Sequence, residues 1–439
     1  MLEDLGDGLV LRRATLADTE ALVAFNADIH RDAGMEGPNP YVAAWVQDLM
    51  GGGHPTFAPG DFTVVEETGS GEIVSSLNLI SQTWTYGGVP FGVGRVELVG
   101  TRPEYRRRGL VRRQMEVVHR WSAERGELLQ GITGIPHYYR RFGYEMALEL
   151  GAGRSGYLPH IPDLEAGAAE PFQVRPATPD DVPFIAALDE QARGHSLVAA
   201  VRDAAMWRFE LAGRFDEKQR PAVRVIERAG GELVGSLVHE GDLWKTRFHV
   251  DAYELALGVS WLAVTPSVLR YLRTAGQAYQ ERPGAARFEA FMLGLGTEHP
   301  AYRAIPDRLP RVHPAYAWYL RVPDLAAFLR RIAPILEGRL ASSVAPGHSG
   351  ELLLNFYQEG LRLVMAEGHL ETVEAWEPPD VEAGGASFPG LSFLQILFGY
   401  RSLTELEQAF ADCRVNTEEA RVLLDALFPK LPSRVWPVE

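Results

Sequence analysis

The chain has 439 residues, 46% hydrophobic and 23% charged, and 43 Lys+Arg against 58 Asp+Glu give a formal net charge of −15. That length is enough to bury a core without disulfides or metals, and it has room for about three domains. The acidic balance argues against nucleic acid or an anionic membrane as partners, and a single cysteine, Cys413, excludes a disulfide framework and a cysteine-built zinc site. The opening MLEDLGDGLVLRRAT lacks the charged-then-apolar pattern of a secretory signal, and no apolar run reaches the ~18 residues of a membrane span. The expected compartment is the reducing cytoplasm.

In chain order, the first feature is an internal echo. Residues 11–18, LRRATLAD, and 174–181, VRPATPDD, pair Arg12 with Arg175, Ala14 with Ala177, Thr15 with Thr178 and Asp18 with Asp181 at an offset of 163. Each reads as a short apolar strand, a Thr/Asp turn suited to capping, and an apolar-periodic helix, through Ala21, Leu22 and Phe25 or through Phe184, Ile185 and Leu188. The same offset carries Pro103 onto Pro266, each behind an expected strand (VELVGTRP and SWLAVTP), and Tyr139-Arg140 onto Tyr302-Arg303. Two copies of one α/β domain is the economical reading, over 1–155 and 172–320, with YLPHIPDLEAGAAEPF as the linker.

Within the first copy, DFTVVEET and GEIVSSLNLI form an expected hairpin across Gly-Ser-Gly, and WTYGGVPFGVGRVELVGT continues the sheet. A helix is expected from Leu110, then LLQGITGI as a strand, then HYYRRFGYEMALEL as a short helix and final strand. The third region, 322–439, reads as a small α+β domain. DLAAFLRRIAPIL is a helix, GELLLNFYQEGLRLVMAEG is paired strands, EAWEPPDVEAGGASFPG is a loop, and SFLQILFGY, LTELEQAF and EEARVLLDALF are helical.

The chemistry-bearing segment is VELVGTRPEYRRRGLVRRQMEVVHRW, a strand, turn, glycine and helix whose buried stripe is Val111, Met115 and Val118. Arg106, Arg107, Arg108, Arg112 and Arg113 crowd five guanidiniums into eight residues of an acidic chain. Free backbone N–H groups at a helix N-terminus attract anions, Gly109 permits close approach, and arginines add charge-assisted hydrogen bonds to phosphate. On composition and position alone, a pyrophosphate cradle and a plain exposed basic first turn are both open.

Together with the later YYRRFGYE, this turn resembles the GNAT acetyltransferases, and within them the enhanced-intracellular-survival (Eis) type. The resemblance implies an α/β (α+β) fold: two tandem GNAT-like domains with central mixed sheets, then a sterol-carrier-like domain. It implies metal-free acetyl transfer from acetyl-CoA to a primary amine and assembly into multi-subunit rings. By position it places the acetyl-CoA contacts on Val99, Gly100 and Thr101, on Arg107, Arg108, Gly109, Leu110, Val111 and Arg112, and on Gly134 and Ile135. It makes Tyr139 the general acid, with Tyr138 and Tyr144 as alternatives, and the C-terminal carboxylate, here on Glu439, the base. The chain departs from most GNAT turns at Val111, where Gly or Ala is usual but the Eis type is also bulky, and it ends in glutamate rather than an aromatic residue.

The chemistry is consistent with these residues. A thiolate leaving group with a pKa of about 8.5 is matched by a tyrosine near 10, and the backbone around Val99 supplies oxyanion donors. The acceptor expected beside an acidic chain is a cationic amine, aminoglycoside-, polyamine- or lysine-like. By the 163 offset Leu269 and Leu272 replace Arg106 and Gly109, so the second copy is expected to wall the substrate cavity without binding CoA. Plainer readings cover other residues: His137 as solvent-exposed, His30 with Asp28 and Asp32 as a solvated helix end, Phe142-Gly143-Tyr144 as a structural turn, Glu298-His299 as no metal site, and Cys413 as a passive small residue. The competing function is a hydrophobic-ligand-binding protein on a vestigial acetyltransferase scaffold, with LNFYQEGLRLVM and SFLQILF lining its cavity.

Overall fold

The computed structural model describes residues 1–31, 34, 36–214 and 221–436. The chain opens with β1 (Glu3–Gly6), β2 (Leu9–Arg13), α1 (Thr19–Ile29), α2 (Pro40–Met50), β3 (Phe62–Glu67), β4 (Glu72–Tyr86), β5 (Val89–Thr101), α3 (Leu110–Glu124), β6 (Leu129–Ile132) and β7 (Glu145–Leu150). There follow β8 (Gly153–Tyr157), β9 (Phe172–Pro176), α4 (Val182–Arg193), β10 (Val198–Ala200), α5 (Ala204–Arg208), β11 (Ala222–Arg228), β12 (Leu233–His239), β13 (Arg247–Leu255), α6 (Trp261–Gln280), β14 (Ala290–Leu293), α7 (Pro300–Ala304), β15 (Arg311–His313) and β16 (Tyr316–Arg321). The last stretch holds α8 (Leu325–Arg331), α9 (Ala333–Ala341), β17 (Gly350–Asn355), β18 (Gly360–Ala366), β19 (His369–Trp376), β20 (Ala386–Ser387), α10 (Phe393–Leu397), α11 (Leu403–Ala409), β21 (Arg414–Val415) and α12 (Glu418–Leu427).

Among the described residues these strands make three sheets, so the class is mixed α/β. The first runs β1-β2-β3-β4-β5-β6-β16-β7, with β10 added beside β4. The second runs β15-β8-β14-β13-β12-β11-β9, and the third β19-β18-β17-β20-β21. Both larger sheets are mixed, antiparallel except where β5 meets β6 and β13 meets β14. On the first sheet α1 and α2 bury Leu22, Phe25, Val46 and Leu49 on one face, while α3 buries Met115, Val118 and Trp121 on the other.

The echo is a matched pair of clasps. Arg12 donates from Nε to Glu66 (2.8 Å) and from both Nη to Asp18 (2.9 and 2.7 Å), and Asp18 accepts from the Thr15 N–H (2.7 Å). Arg175 repeats this with Glu227 (2.9 Å), Asp181 (2.8 and 3.0 Å) and Thr178 (2.7 Å). Each bidentate pair ties a strand to the turn that starts the next helix.

Several expectations are corrected. SWLAVTP is not a strand but the start of α6, whose N-cap Ser260 accepts from the Ala263 N–H and whose interior holds Pro266. A short apolar run does not distinguish strand from helix, and here the cap decides. The offset therefore drifts: Leu110 and Trp261 open corresponding helices at an offset of 151. WTY completes β4, and the hairpin turn is Gly87-Gly88, both at positive φ (55° and 91°). The helix expected over DLAAFLRRIAPIL is broken into α8 and α9 at Ile332. The expected loop EAWEPPDVEAGGASFPG instead contributes the end of β19 and all of β20, and β10 and α2 are among the elements not expected.

Candidate functional site

The site is built where β5 leaves its neighbours. On one side β5 and β6 pair in parallel only from Val93↔Leu129 to Arg95↔Gly131, and beyond that β5 runs on to Thr101 unaccompanied. On the other side Ser76 faces Gly100 but Asn78 faces Glu97, so Leu98 and Val99 together stand opposite Leu77. This is a β-bulge, with Leu98 at φ 53°. The expected contact residue Val99 lies in it, and Gly100 and Thr101 follow. Gly100 has no room for a side chain: a Cβ would stand 2.8 Å from Ile29 and 3.3 Å from His30. His30 is thus not a solvated helix end. Its Nδ1 hydrogen-bonds the Asn26 carbonyl (3.1 Å), and burial lowers its pKa. Asp32 lies outside the described residues.

The arginine turn follows. Arg107 (φ 64°) and Gly109 (φ 79°) both take the left-handed conformation, and Gly109 caps α3 with no side-chain bond to its first N–H groups. The open space around Gly109 shows that its backbone conformation, not crowding, calls for glycine. Arg106 donates to the Thr101 carbonyl (3.2 Å), and Arg113 pairs with Glu3 and Glu116. Arg107, Arg108 and Arg112 are exposed and have no acidic partner among the described residues, apart from which Arg108 lies over Tyr105 and Arg112 over Phe142. Leu110 is buried beneath the turn and Val111 half-buried. A residue not foreseen, fully buried Gln114, accepts from Ser75 Oγ (2.7 Å) and donates to Thr63 Oγ1 (3.0 Å), while Ser75 also bonds the Gly100 carbonyl (2.8 Å). The helix start is thereby tied to the bulged strand.

The tyrosine turn closes the site. Beyond β6, Gly134 takes φ 109° and Ile135 is 54% exposed. His137 is exposed at φ 64°, and its N–H donates to the hydroxyl of Tyr319 on β16 (2.5 Å). Tyr139 is 3% exposed and packs edge-on against Tyr138 and Tyr319. Burial, reinforced by the charge of Glu97, pushes its pKa well above the usual tyrosine value. Tyr144 is fully buried with its hydroxyl bonded to His119 Nε2 (2.8 Å), and Tyr138 is half-buried under Arg141. Tyr139, Val99, Leu110 and Val111 share one apolar cluster, so the structure brings turn, bulge and tyrosine together.

Two unforeseen residues, Arg95 and Glu97, lie on the same face of β5 and are ion-paired. Their signal was in GRVELVGT: two charges two apart in an apolar strand must share one face. Glu439, the expected base, lies outside the described residues. The preceding tail threads past β10, with Leu197 N–H donating to Pro432 and Arg434 N–H to Val198 (both 2.8 Å), Arg434 paired to Glu254, and Trp436 stacked against Arg202.

In the second sheet, Leu269 and Leu272 lie inside α6 rather than at its start. The segment leading to α6 is Ala256-Leu257-Gly258-Val259-Ser260, shorter than the 102–109 turn and without arginine. Beside it is a cavity of about 170 Å³ lined by Glu254, Trp261, His299 and Arg434. Among the described residues no group of three or more His, Cys, Asp or Glu is placed to hold a metal, and no helix is long and apolar enough to cross a membrane. Cys413 is buried and unpaired with another cysteine.

Residues 15–147, which contain the bulge, the arginine turn and Tyr139, match the family model of the acetyltransferase (GNAT) domain. This stretch is a GNAT acetyltransferase domain. No curated protein matches the chain. Among solved structures, a GCN5-related N-acetyltransferase from Kribbella flavida is similar at 19% identity and TM-score 0.64, covering 97% of each chain. A probable N-acyltransferase from Enterococcus faecalis is similar at 12% and 0.66, also covering 97% of each. Eis1 from Mycobacterium abscessus is similar at 17% and 0.59, covering 96% of this chain and 98% of that one. The fold beyond the GNAT domain is therefore shared along nearly the whole length.

Proposed function

We propose that the protein is an acetyl-CoA-dependent N-acetyltransferase that acts on a primary amine by direct attack in a ternary complex. One observation carries this reading: three exposed arginines with no acidic partner among the described residues and a left-handed glycine at an uncapped helix start, directly behind a bulged strand that has parted from its neighbour. A vestigial scaffold has no reason to leave three guanidiniums unneutralised in a chain of charge −15.

Bound acetyl-CoA supplies the thioester. Arg107, Arg108 and Arg112, with the N–H groups after Gly109, hold its pyrophosphate. The Val99 backbone orients the carbonyl and stabilises charge on its oxygen. Gly134 and Ile135 flank the chain of the donor. Tyr139, kept protonated by burial, gives its proton to the leaving sulfur. Glu97, whose charge reaches Tyr139, is a carboxylate for the amine proton within the described residues, beside the role the Eis resemblance gives Glu439. The amine is cationic in water, as an aminoglycoside, polyamine or lysine side chain is.

We also assign residues 172–320 to a degenerate GNAT-like wall, 322–439 to a sterol-carrier-like domain, and the whole to a cytoplasmic homo-oligomer that uses no metal. The hydrophobic-ligand reading is not favoured. Leu352, Leu354, Leu361, Leu363, Phe393 and Leu397 pack with one another and with Trp84 and Trp318 in a single core. Thermal denaturation with acetyl-CoA tests the proposal. Stabilisation of about 3–4 kcal/mol is expected at 100–1,000 times Kd, and Arg107→Ala should shrink it. No shift at millimolar acetyl-CoA would overturn the proposal and favour the binding-module reading.

A further inference from the structure

In the first sheet, a set of buried polar atoms around Glu97 lacks hydrogen-bond partners among the described residues. Arg95 is fully buried, gives one Nη to Glu97, and leaves Nε and its other Nη without a hydrogen bond. Its guanidinium faces the ring of Trp318 at 5.0 Å, and the Trp318 indole N–H is also unbonded. Asn78, directly opposite Glu97 in the β4–β5 ladder and so on the same face, is fully buried with neither amide atom bonded. Buried polar groups are satisfied as a rule, so several unmet atoms around one carboxylate call for a partner that binds. Arg95 and Trp318 offer only donors, Glu97 only acceptors, and Asn78 one of each kind.

We propose that this constellation reads an α-amino acid-type acceptor, an amine with a carboxylate on the neighbouring carbon. Arg95 and Trp318 take the carboxylate. Glu97 and Asn78 take the ammonium and hold the nitrogen at the bulge. The inference rests on the acetyltransferase reading and changes its acceptor from a purely cationic amine to one that also carries a carboxylate. A purely cationic amine would leave the Arg95 and Trp318 donors unmet, and a site built to bond a group rejects analogues that lack it. In the reaction the amine nitrogen bonds the acetyl carbon, the carbon–sulfur bond breaks, the amine proton leaves to a carboxylate, and the sulfur gains the Tyr139 proton.

The test is a panel of matched acceptors: lysine, lysinamide and cadaverine, and phenylalanine, phenylalaninamide and phenethylamine, with kcat/KM read by thiol release at saturating acetyl-CoA. The free amino acids should exceed their decarboxylated partners by at least about 100-fold. Arg95→Gln should bring the two close to parity, and Arg95→Lys should restore part of the preference. Trp318→Phe, which leaves the buried charge in place, should lower it to a lesser degree. Circular dichroism and the acetyl-CoA thermal shift establish that each variant is folded. Equal rates for decarboxylated amines in the wild type, or an Arg95→Gln loss equal for both members of each pair, would overturn the proposal in favour of a structural strut. If no acceptor releases thiol while acetyl-CoA still stabilises the protein, the amino-acid assignment fails and the donor site stands. If acetyl-CoA gives no stabilisation, the acetyltransferase reading fails with it.

Discussion

Tyr139 combines two features that a proton donor to sulfur needs. It is packed among aromatic rings, and its pKa is raised by burial first and by Glu97 second. A raised pKa keeps the hydroxyl protonated to higher pH, so in the proposed mechanism the acid is available throughout the range in which an amine acceptor loses its proton. The rate should climb with pH and show no fall attributable to Tyr139 before about pH 10. Tyr139→Phe should cut kcat about 10²–10⁴-fold while sparing the acetyl-CoA thermal shift. A variant that keeps full kcat would move the role elsewhere. Tyr144 is a poor substitute, since His119 already holds its hydroxyl. At the same scale, Asp181 has its pKa lowered to about 2, first by its hydrogen bonds from Arg175. A depressed carboxylate stabilises the fold above its unfolded pKa near 4, and that contribution is lost as pH falls through about 2. Asp181→Asn should cost about 1–2 kcal/mol in urea denaturation at pH 7, and the gap from wild type should close as the pH is lowered from about 4 toward 2.

At the scale of elements, the end of β5 and the start of α3 use glycine for two different physical reasons, and substitution separates them. Gly109 needs a left-handed backbone in open space, so Gly109→Ala should cost about 1 kcal/mol of strain and chiefly weaken acetyl-CoA binding. Gly100 lies under α1, where a methyl would meet Ile29 at 2.8 Å and His30 at 3.3 Å. Gly100→Ala should cost about 1–3 kcal/mol in global stability. Equal stability losses in calorimetry for both would contradict this division. The arginine turn was legible because its residue types sit next to one another in the chain. The bulge that makes it useful was not, since a register shift between β4 and β5 is a property of two strands. Nor was Gln114, which reads as one more helical residue until Ser75 and Thr63 are brought beside it.

For the whole molecule, the important feature is an exchange of strands. β8, which precedes the expected linker, pairs with β14 and β15 of the second sheet. β16, near the end of the expected second copy, lies between β6 and β7 of the first and holds the tyrosine turn through Tyr319. The third region closes over the same sheet, with Tyr86 donating to the Leu397 carbonyl (2.7 Å) and one core running from Trp84 to Leu424. The GNAT domain therefore draws on distant chain. A fragment of residues 1–155 should lack cooperative unfolding in denaturant, because its β6–β7 gap and the apolar face around Trp84 have nothing to fill them. A sharp transition from that fragment would show that the exchange is dispensable.

What the sequence alone determined was local. The clasp motifs, the helix starts with nearby caps and the arginine–glycine turn are written in residues within a few positions of one another, where spacing and side-chain chemistry suffice. Short apolar runs such as SWLAVTP did not settle strand or helix, because such a run can belong to either and the cap at its first residue, Ser260, decided. The tertiary structure alone decided where β5 parts from its neighbours, which tyrosine keeps its hydroxyl clear of His119, and which buried donors around Glu97 go unmet. Each is a relation between residues tens to hundreds of positions apart, set by how sheets close and helices pack, and no periodicity along the chain records it.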